Sequence, residues 1–188
     1  LQSTFLNLNF STDINQTYSV VGFTLSLPIL KDILMKKYLV VCLGNICRSP
    51  MAEGILRNEF EENGIDIEVD SAGTAAYHIG EPADSRAQKE LRKHNIDISK
   101  ERAQKFEYKH FGEYDKIFAM DENNYADLLY LSKTENDRAK VDMIMNVVEP
   151  GKDIPVPDPY YGGDEGFAQV YRMLKSAAMK LVEIEKNI

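Results

Sequence analysis

The sequence predicts a doubly wound α/β domain, a parallel sheet with helices on both faces. Three observations lead there. First, Tyr38-Leu39-Val40-Val41-Cys42-Leu43 is a continuous apolar run, the pattern of a strand buried on both faces. Second, short strand-like segments alternate after it with segments of helical period. Third, 44% of the 188 residues are apolar, enough for a real core and incompatible with global disorder.

Residues 1–34 stand apart. Asp13, Lys31 and Asp32 are their only charges, and Leu, Ser, Thr, Asn and Phe dominate. The apolar stretch from Tyr18 to Leu30 is too short and too interrupted for a membrane span of about 20 residues. It lacks the basic flank and small-residue cleavage site of a signal peptide. The chain begins with Leu, while Met35-Lys36-Lys37-Tyr38 resembles a natural start directly before a strong strand. Residues 1–34 are therefore expected to be an upstream extension outside the domain that follows. The alternative is a packing arm using Phe23, Leu25, Leu27 and Leu30. Residues 35–188 are expected to form the functional domain.

In that domain Gly44-Asn45 ends the first strand. Ser49-Pro50 is expected to open a helix, with Ser as cap and Pro in the first turn, up to the stop at Asn63-Gly64. Ile65 to Val69 alternates apolar and acidic residues and reads as a more exposed strand, followed by a loop from Ser71 to Pro82. Ala83 to His94 reads as a helix. Lys116 to Met120 is a short buried strand, and Glu122 to Leu131 a helix. Val141 to Val148 holds a weaker fourth strand. Asp153 to Gly163 is a proline-rich loop. Asp164 to Asn187 is a closing helix with Phe167, Val170, Leu174, Ala178 and Leu181 on one stripe.

Composition excludes several functions. Two cysteines cannot make a disulfide framework, and with three histidines they make a closed zinc site a poor reading. A net charge of −8 argues against general nucleic-acid binding. It leaves room for a small cationic pocket. His78, His94 and His110 are scattered and expected on surfaces, and Glu61-Glu62 reads as a solvated helix end.

Cys42-Leu43-Gly44-Asn45-Ile46-Cys47-Arg48-Ser49 joins a strand to a helix, where ligands of such sheets bind. A Cys with an Arg six positions on is a weak signal by itself, and a lone Cys is more often a small buried apolar residue. The context changes that. A loop of this length lets successive backbone N–H groups point inward at a tetrahedral oxyanion, at the start of a helix. Gly44 and Asn45 tolerate left-handed backbone. Arg48 offers a planar fork for two oxygens. Cys42 at the base is expected to be a thiolate that attacks phosphorus. Cys47 either fills space beneath the loop or forms a disulfide with Cys42 on oxidation. Such a reaction needs a general acid for the leaving oxygen. Asp158, stiffened by Pro157 and Pro159, is the best candidate, and Tyr160 and Tyr161 can wall a pocket for an aromatic leaving group. Asp153 and Asp164 are the fallback acids.

The segment Val41 to Glu53 resembles the signature of the low-molecular-weight protein tyrosine phosphatases. Asp70-Ser71-Ala72-Gly73-Thr74, Met120-Asp121-Glu122 and Asp158-Pro159-Tyr160-Tyr161-Gly162 resemble that family's other landmarks, in the same order. The likeness runs from Met35 to the C-terminus. It implies a four-stranded parallel sheet of flavodoxin-like topology and hydrolysis of phosphotyrosine in proteins without metal or cofactor. It implies Cys42 as nucleophile, Arg48 as phosphate clamp, and Asp158 as general acid and then base. Asn45 would hold the loop with Ser49 and Ser71, and Ser49 would assist departure of the thiolate. Leu43, Gly44, Ile46, Cys47, Tyr77, Tyr160 and Tyr161 would complete the substrate pocket. The expected partner is a phosphotyrosine protein in the cytoplasm, with neither nucleic acid nor membrane involved. One position departs from the pattern: Glu101 stands before Arg102-Ala103 where the family often has a His that supports the loop Asn, which puts that support in question.

Three other readings compete. A thioredoxin-coupled arsenate reductase on the same fold needs further distant cysteines. A protein-arginine phosphatase would carry Thr where Ile46 stands. A non-catalytic phosphotyrosine-binding module would need neither Cys42 nor Asp158.

Overall fold

The computed structural model describes residues 35–187 and, of the N-terminal segment, the backbone of two strands. The chain divides into two units, Leu1–Met35 and Lys36–Ile188. In the first, β1 (Thr17–Val20) pairs antiparallel with β2 (Phe23–Ser26), from Thr17 opposite Ser26 to Val20 opposite Phe23. This pairing is a correction, since no strand was expected before Met35. The packing-arm alternative for Phe23, Leu25, Leu27 and Leu30 lies outside the described residues.

The second unit contains β3 (Lys36–Cys42), α1 (Arg48–Glu62), β4 (Ile67–Gly73), α2 (Ser85–Arg92), α3 (His110–Glu113), β5 (Lys116–Ala119), α4 (Glu122–Leu131), α5 (Glu135–Ala139), β6 (Val141–Met143), a 3₁₀ turn (Ile144–Val147) and α6 (Asp164–Lys186). The four strands form one parallel sheet in the order β4-β3-β5-β6. Chain order reverses between β3 and β5, which places the topological switch point beside Cys42.

The period of two along β3 explains its uniform apolarity. Tyr38, Val40 and Cys42 face a core built with Met51, Ile55 and Phe60 of α1, Leu91 of α2, and Phe167, Val170 and Leu174 of α6. Leu39 and Val41 face a second core with Ile117 and Ala119 of β5, Leu128 of α4, Phe106 and Phe111. Neither face of the strand meets water, as a doubly wound sheet requires. Among the described residues no helix is long and apolar enough to cross a membrane.

Several element boundaries differ from expectation. The strand read as Ile65 to Val69 runs instead to Gly73, because pairing with β3 through Cys42↔Gly73 overrides the loop signal of Ser71 and Gly73. The fourth strand is three residues long and turns directly into the 3₁₀ segment. Helix α2 is shorter than Ala83 to His94, starting after Asp84, whose carboxylate accepts from Arg86 N at 2.8 Å. Two short helices, α3 and α5, were not foreseen. Thr134 and Asp137 cap α5 reciprocally.

Candidate active site

The loop 43–47 leaves β3 and enters α1, and its shape follows from two residues. Asn45 sits in the left-handed region with φ 55°. Gly73 at the end of β4 lets the loop backbone approach: a Cβ there would lie 2.7 Å from Leu43 O and 3.1 Å from Asn45 N. Gly44, expected to share the left-handed conformation, is not among the positive-φ residues. Its hydrogen side faces His78, whose Cδ2 would stand 3.1 Å from an added Cβ. The rest of the rim is tied down by main-chain bonds. Thr74 N donates to Cys42 O at 2.9 Å, Ala75 N to Leu43 O at 2.9 Å, and Asp84 N to Ile46 O at 2.8 Å.

Helix α1 begins at Arg48, one residue before the expected cap, with Cys47 at the N-cap position and no side-chain cap bond. The Ser49 hydroxyl is therefore not a cap. It lies 3.0 Å from Cys42 Sγ and within 3.2 Å of Ala72 O. Asn45 N donates to the same sulfur at 3.3 Å. The sulfur thus sits at a helix N-terminus with a backbone amide and a hydroxyl turned to it.

Asn45 is buried and every polar atom of its side chain is used. Nδ2 donates to Ser49 Oγ at 2.9 Å and to Ser71 Oγ at 2.8 Å, while Oδ1 accepts from Gln104 N at 2.8 Å. Ser71 in turn donates to Glu53 Oε2 at 2.6 Å. The support questioned because of Glu101 is therefore present. Glu101 takes part from further out, accepting from Arg57 Nη2 at 2.8 Å, while Arg57 Nη1 holds Glu53.

Arg48 is buried and lines the same cleft as Cys42. It donates to Asp121 through Nη1 and to Asp158 Oδ2 through Nη2 at 3.3 Å, and Nη1 also reaches Val156 O at 3.3 Å. Burial alone would disfavour its charge, but Cys42, Asp121 and Asp158 outweigh this and hold it more firmly protonated. Asp121 also caps α4, accepting from Asn124 N at 2.8 Å. The sequence offered Asp121 as a landmark without a role. Its position after the apolar β5 run, at the switch point, was the available signal.

The 154–161 segment is joined to the sheet by Val156 N donating to Met120 O at 2.8 Å. Asp158 is half-exposed, with Oδ1 accepting from Tyr160 N at 3.1 Å. Arg86 of α2 donates to Tyr160 O at 2.9 Å and lies over the Tyr160 ring.

These groups meet at one cleft of about 320 Å³. It is lined by Cys42, Leu43, Gly44, Ile46, Cys47, Arg48, Tyr77, His78, Asp158, Tyr160 and Tyr161. Leu43, Tyr77 and Tyr161 are exposed on its rim, and Tyr160 packs edge-on to Tyr161. Asn45, Ser49 and Ser71 lie beneath as a supporting layer. His78 lies at the surface as expected, where it lines the cleft and pairs with Glu81 Oε2 at 2.7 Å. His110, expected on a surface, is instead buried, and its Nδ1 accepts from Glu107 N at 3.0 Å. The fallback acids are elsewhere, Asp153 bonded to Asn146 and Asp164 to Lys89 at 2.7 Å. Cys42 and Cys47 are both free thiols, and burial, chiefly, pushes the Cys47 thiol up, away from ionisation. Among the described residues no cluster of His, Cys, Asp and Glu suits a metal.

The sequence model of the low molecular weight phosphotyrosine protein phosphatases matches residues 37–187. The chain is 43% identical over 152 residues to the low molecular weight phosphotyrosine protein phosphatase of Schizosaccharomyces pombe, covering 79% of this chain and 92% of the relative. It is 39% identical over 140 residues to the human one, covering 73% and 87%. Among solved structures, a protein tyrosine phosphatase from Entamoeba histolytica superposes with a TM-score of 0.75 at 36% identity. That match covers 81% of this chain and 98% of the other. This chain therefore belongs to the low-molecular-weight phosphotyrosine protein phosphatase family.

Proposed function

We propose that the cleft hydrolyses phosphotyrosine in proteins through a phosphocysteine on Cys42. The observation that carries this reading is the convergence of a thiol, a buried guanidinium and a carboxyl on one aromatic-walled cleft. The phosphate of the substrate sits in the 43–48 loop, where backbone N–H groups and the Arg48 fork take its oxygens. Cys42 Sγ attacks phosphorus opposite the phenolic oxygen. As the S–P bond forms the P–O bond breaks, and Asp158 gives its proton to the departing tyrosine. Water then attacks the phosphocysteine while Asp158, now ionised, takes a proton from it. The P–S bond breaks, the Ser49 hydroxyl donates to the leaving thiolate, and inorganic phosphate is released. Charge builds on the equatorial oxygens, where preorganised donors stabilise it most.

Ile46 in the cleft wall favours a phenolic ester over a phosphorylated guanidinium, which would gain from a hydroxyl there. Tyr77, Tyr160 and Tyr161 supply flat apolar contact for the phenol ring. The two free cysteines are consistent with a reducing compartment such as the cytoplasm, the compartment this reading assigns. The test is turnover of a phosphotyrosine peptide in the presence of chelator, alongside phosphoserine and phosphoarginine peptides. The phosphotyrosine peptide alone should turn over rapidly, and preference for phosphoarginine or a requirement for divalent metal would overturn the reading.

A further inference from the structure

The outer support of the phosphate loop is a cluster of three charged side chains. Glu53 of α1 is buried, one turn beyond Ser49. Arg57, a further turn along, donates to Glu53 Oε1 at 3.1 Å and to Glu101 Oε1 at 2.8 Å. The Glu53 and Glu101 carboxyls are also within hydrogen-bond reach of each other. The groups facing Glu53 are thus Arg57 on its own helix, Glu101 from the segment opposite and the Ser71 hydroxyl of β4. One guanidinium neutralises one of the two carboxylates. The second is buried against a like charge, the situation in which one carboxyl retains its proton.

Asn45 is connected to both halves of this pair. Its Nδ2 reaches Glu53 through Ser71, and its Oδ1 accepts from Gln104 N, three residues past Glu101. Resting on the phosphatase reading above, we propose that Glu53 and Glu101 share one proton and that this pair, bracketed by Arg57, is a pH-sensitive brace for the phosphate loop. When the proton goes to solvent, the bond between the carboxyls becomes a repulsion. The segment carrying Gln104 is then pushed away from the helix carrying Glu53, and Asn45 is drawn from both sides. Burial, and next the Glu101 bond, push Glu53 up to about 8, while Ser71 and Arg57 oppose the shift. The brace therefore releases in the mildly alkaline range. Glu53 and Glu101 are positioning residues and touch no substrate.

The test compares wild type with Glu101→Gln, which keeps a donor towards Glu53 and removes the charge. Inorganic phosphate is the probe, its affinity measured by calorimetry at a series of pH values around about 8. The ratio of the two affinities cancels the titration of phosphate itself. Wild type should lose affinity relative to Glu101→Gln, several-fold, as pH rises through that range. A ratio that stays constant with pH overturns the proposal. Thermal stability gives a second readout. The value of Glu53 in the folded protein lies above its ordinary 4.5, so its contribution is full below about 4.5 and is lost as pH rises towards about 8. Glu101→Gln should lessen that loss, and an identical loss in both proteins counts against the pair. Should Glu101→Gln fail to fold, Glu53→Gln serves the same comparison. If wild type binds phosphate yet hydrolyses no aryl phosphate, the phosphatase reading fails. If it does both and the affinity ratio is flat, only the brace fails.

Discussion

Replacing Asn45 tests whether the loop is held by side-chain hydrogen bonds or by its backbone alone. Asn45 is 2% exposed, makes three side-chain hydrogen bonds and holds φ at 55°. Asn45→Ala takes the acceptor from the part-buried Gln104 N and one donor each from the buried Ser49 and Ser71 hydroxyls, at about 1–3 kcal/mol in all. It also puts a Cβ without local hydrogen bonds into the left-handed region, at about 1–2 kcal/mol. Together these give a loss of about 2–5 kcal/mol. For a chain of this size that lowers the melting temperature by on the order of 10 °C. Asn45→Gly removes the backbone strain and keeps the hydrogen-bond loss, so it should be more stable than Asn45→Ala by about 1 kcal/mol. Both should lose on the order of 10²-fold in kcat/KM, because the amides no longer converge on one point. Calorimetric melting and steady-state turnover of para-nitrophenyl phosphate give both quantities. If Asn45→Ala melts with wild type and keeps its kcat/KM, the supporting layer has been misread.

Other expectations follow from the same geometry. Asp158→Asn should slow phosphotyrosine turnover by on the order of 10²–10⁴-fold, and para-nitrophenyl phosphate less, because its leaving group needs less protonation. An equal small loss on both, or the same pattern in Asp153→Asn, would move the acid role. Arg48→Lys should lose most activity, since an ammonium cannot span Asp121 and two phosphate oxygens at once. Near-wild-type kcat/KM would exclude the clamp. A chain starting at Met35 should keep the melting temperature and activity of the full chain, because every residue of the cleft lies downstream. A large fall in melting temperature would show that residues 1–34 pack on the domain.

The sequence revealed most where the chemistry is local. Cys42 to Ser49 is one continuous loop, so its residue types and spacing carry the geometry, and Tyr160-Tyr161 beside Asp158 is legible for the same reason. What escaped depends on chain segments meeting. Asp121 meets Arg48 because β5 lies beside β3, and nothing in Met120-Asp121-Glu122 states that adjacency. Glu53 and Glu101 are far apart in sequence, and nothing in either stretch states that one guanidinium joins them. Ser49 looks like a cap by composition, yet its hydroxyl is drawn to Cys42 and Ala72. Ser71 to Gly73 has loop composition, and register with β3 makes it strand.

The central claim is that a covalent phosphocysteine forms at Cys42. Its most direct test is mass spectrometry of enzyme quenched in acid during turnover of a phosphotyrosine peptide, followed by peptide mapping. The account predicts one added phosphoryl group on the peptide containing Cys42, absent in Cys42→Ser, whose turnover is also abolished. Turnover in Cys42→Ser near that of wild type, or a phosphoryl group mapped to another residue, would contradict it.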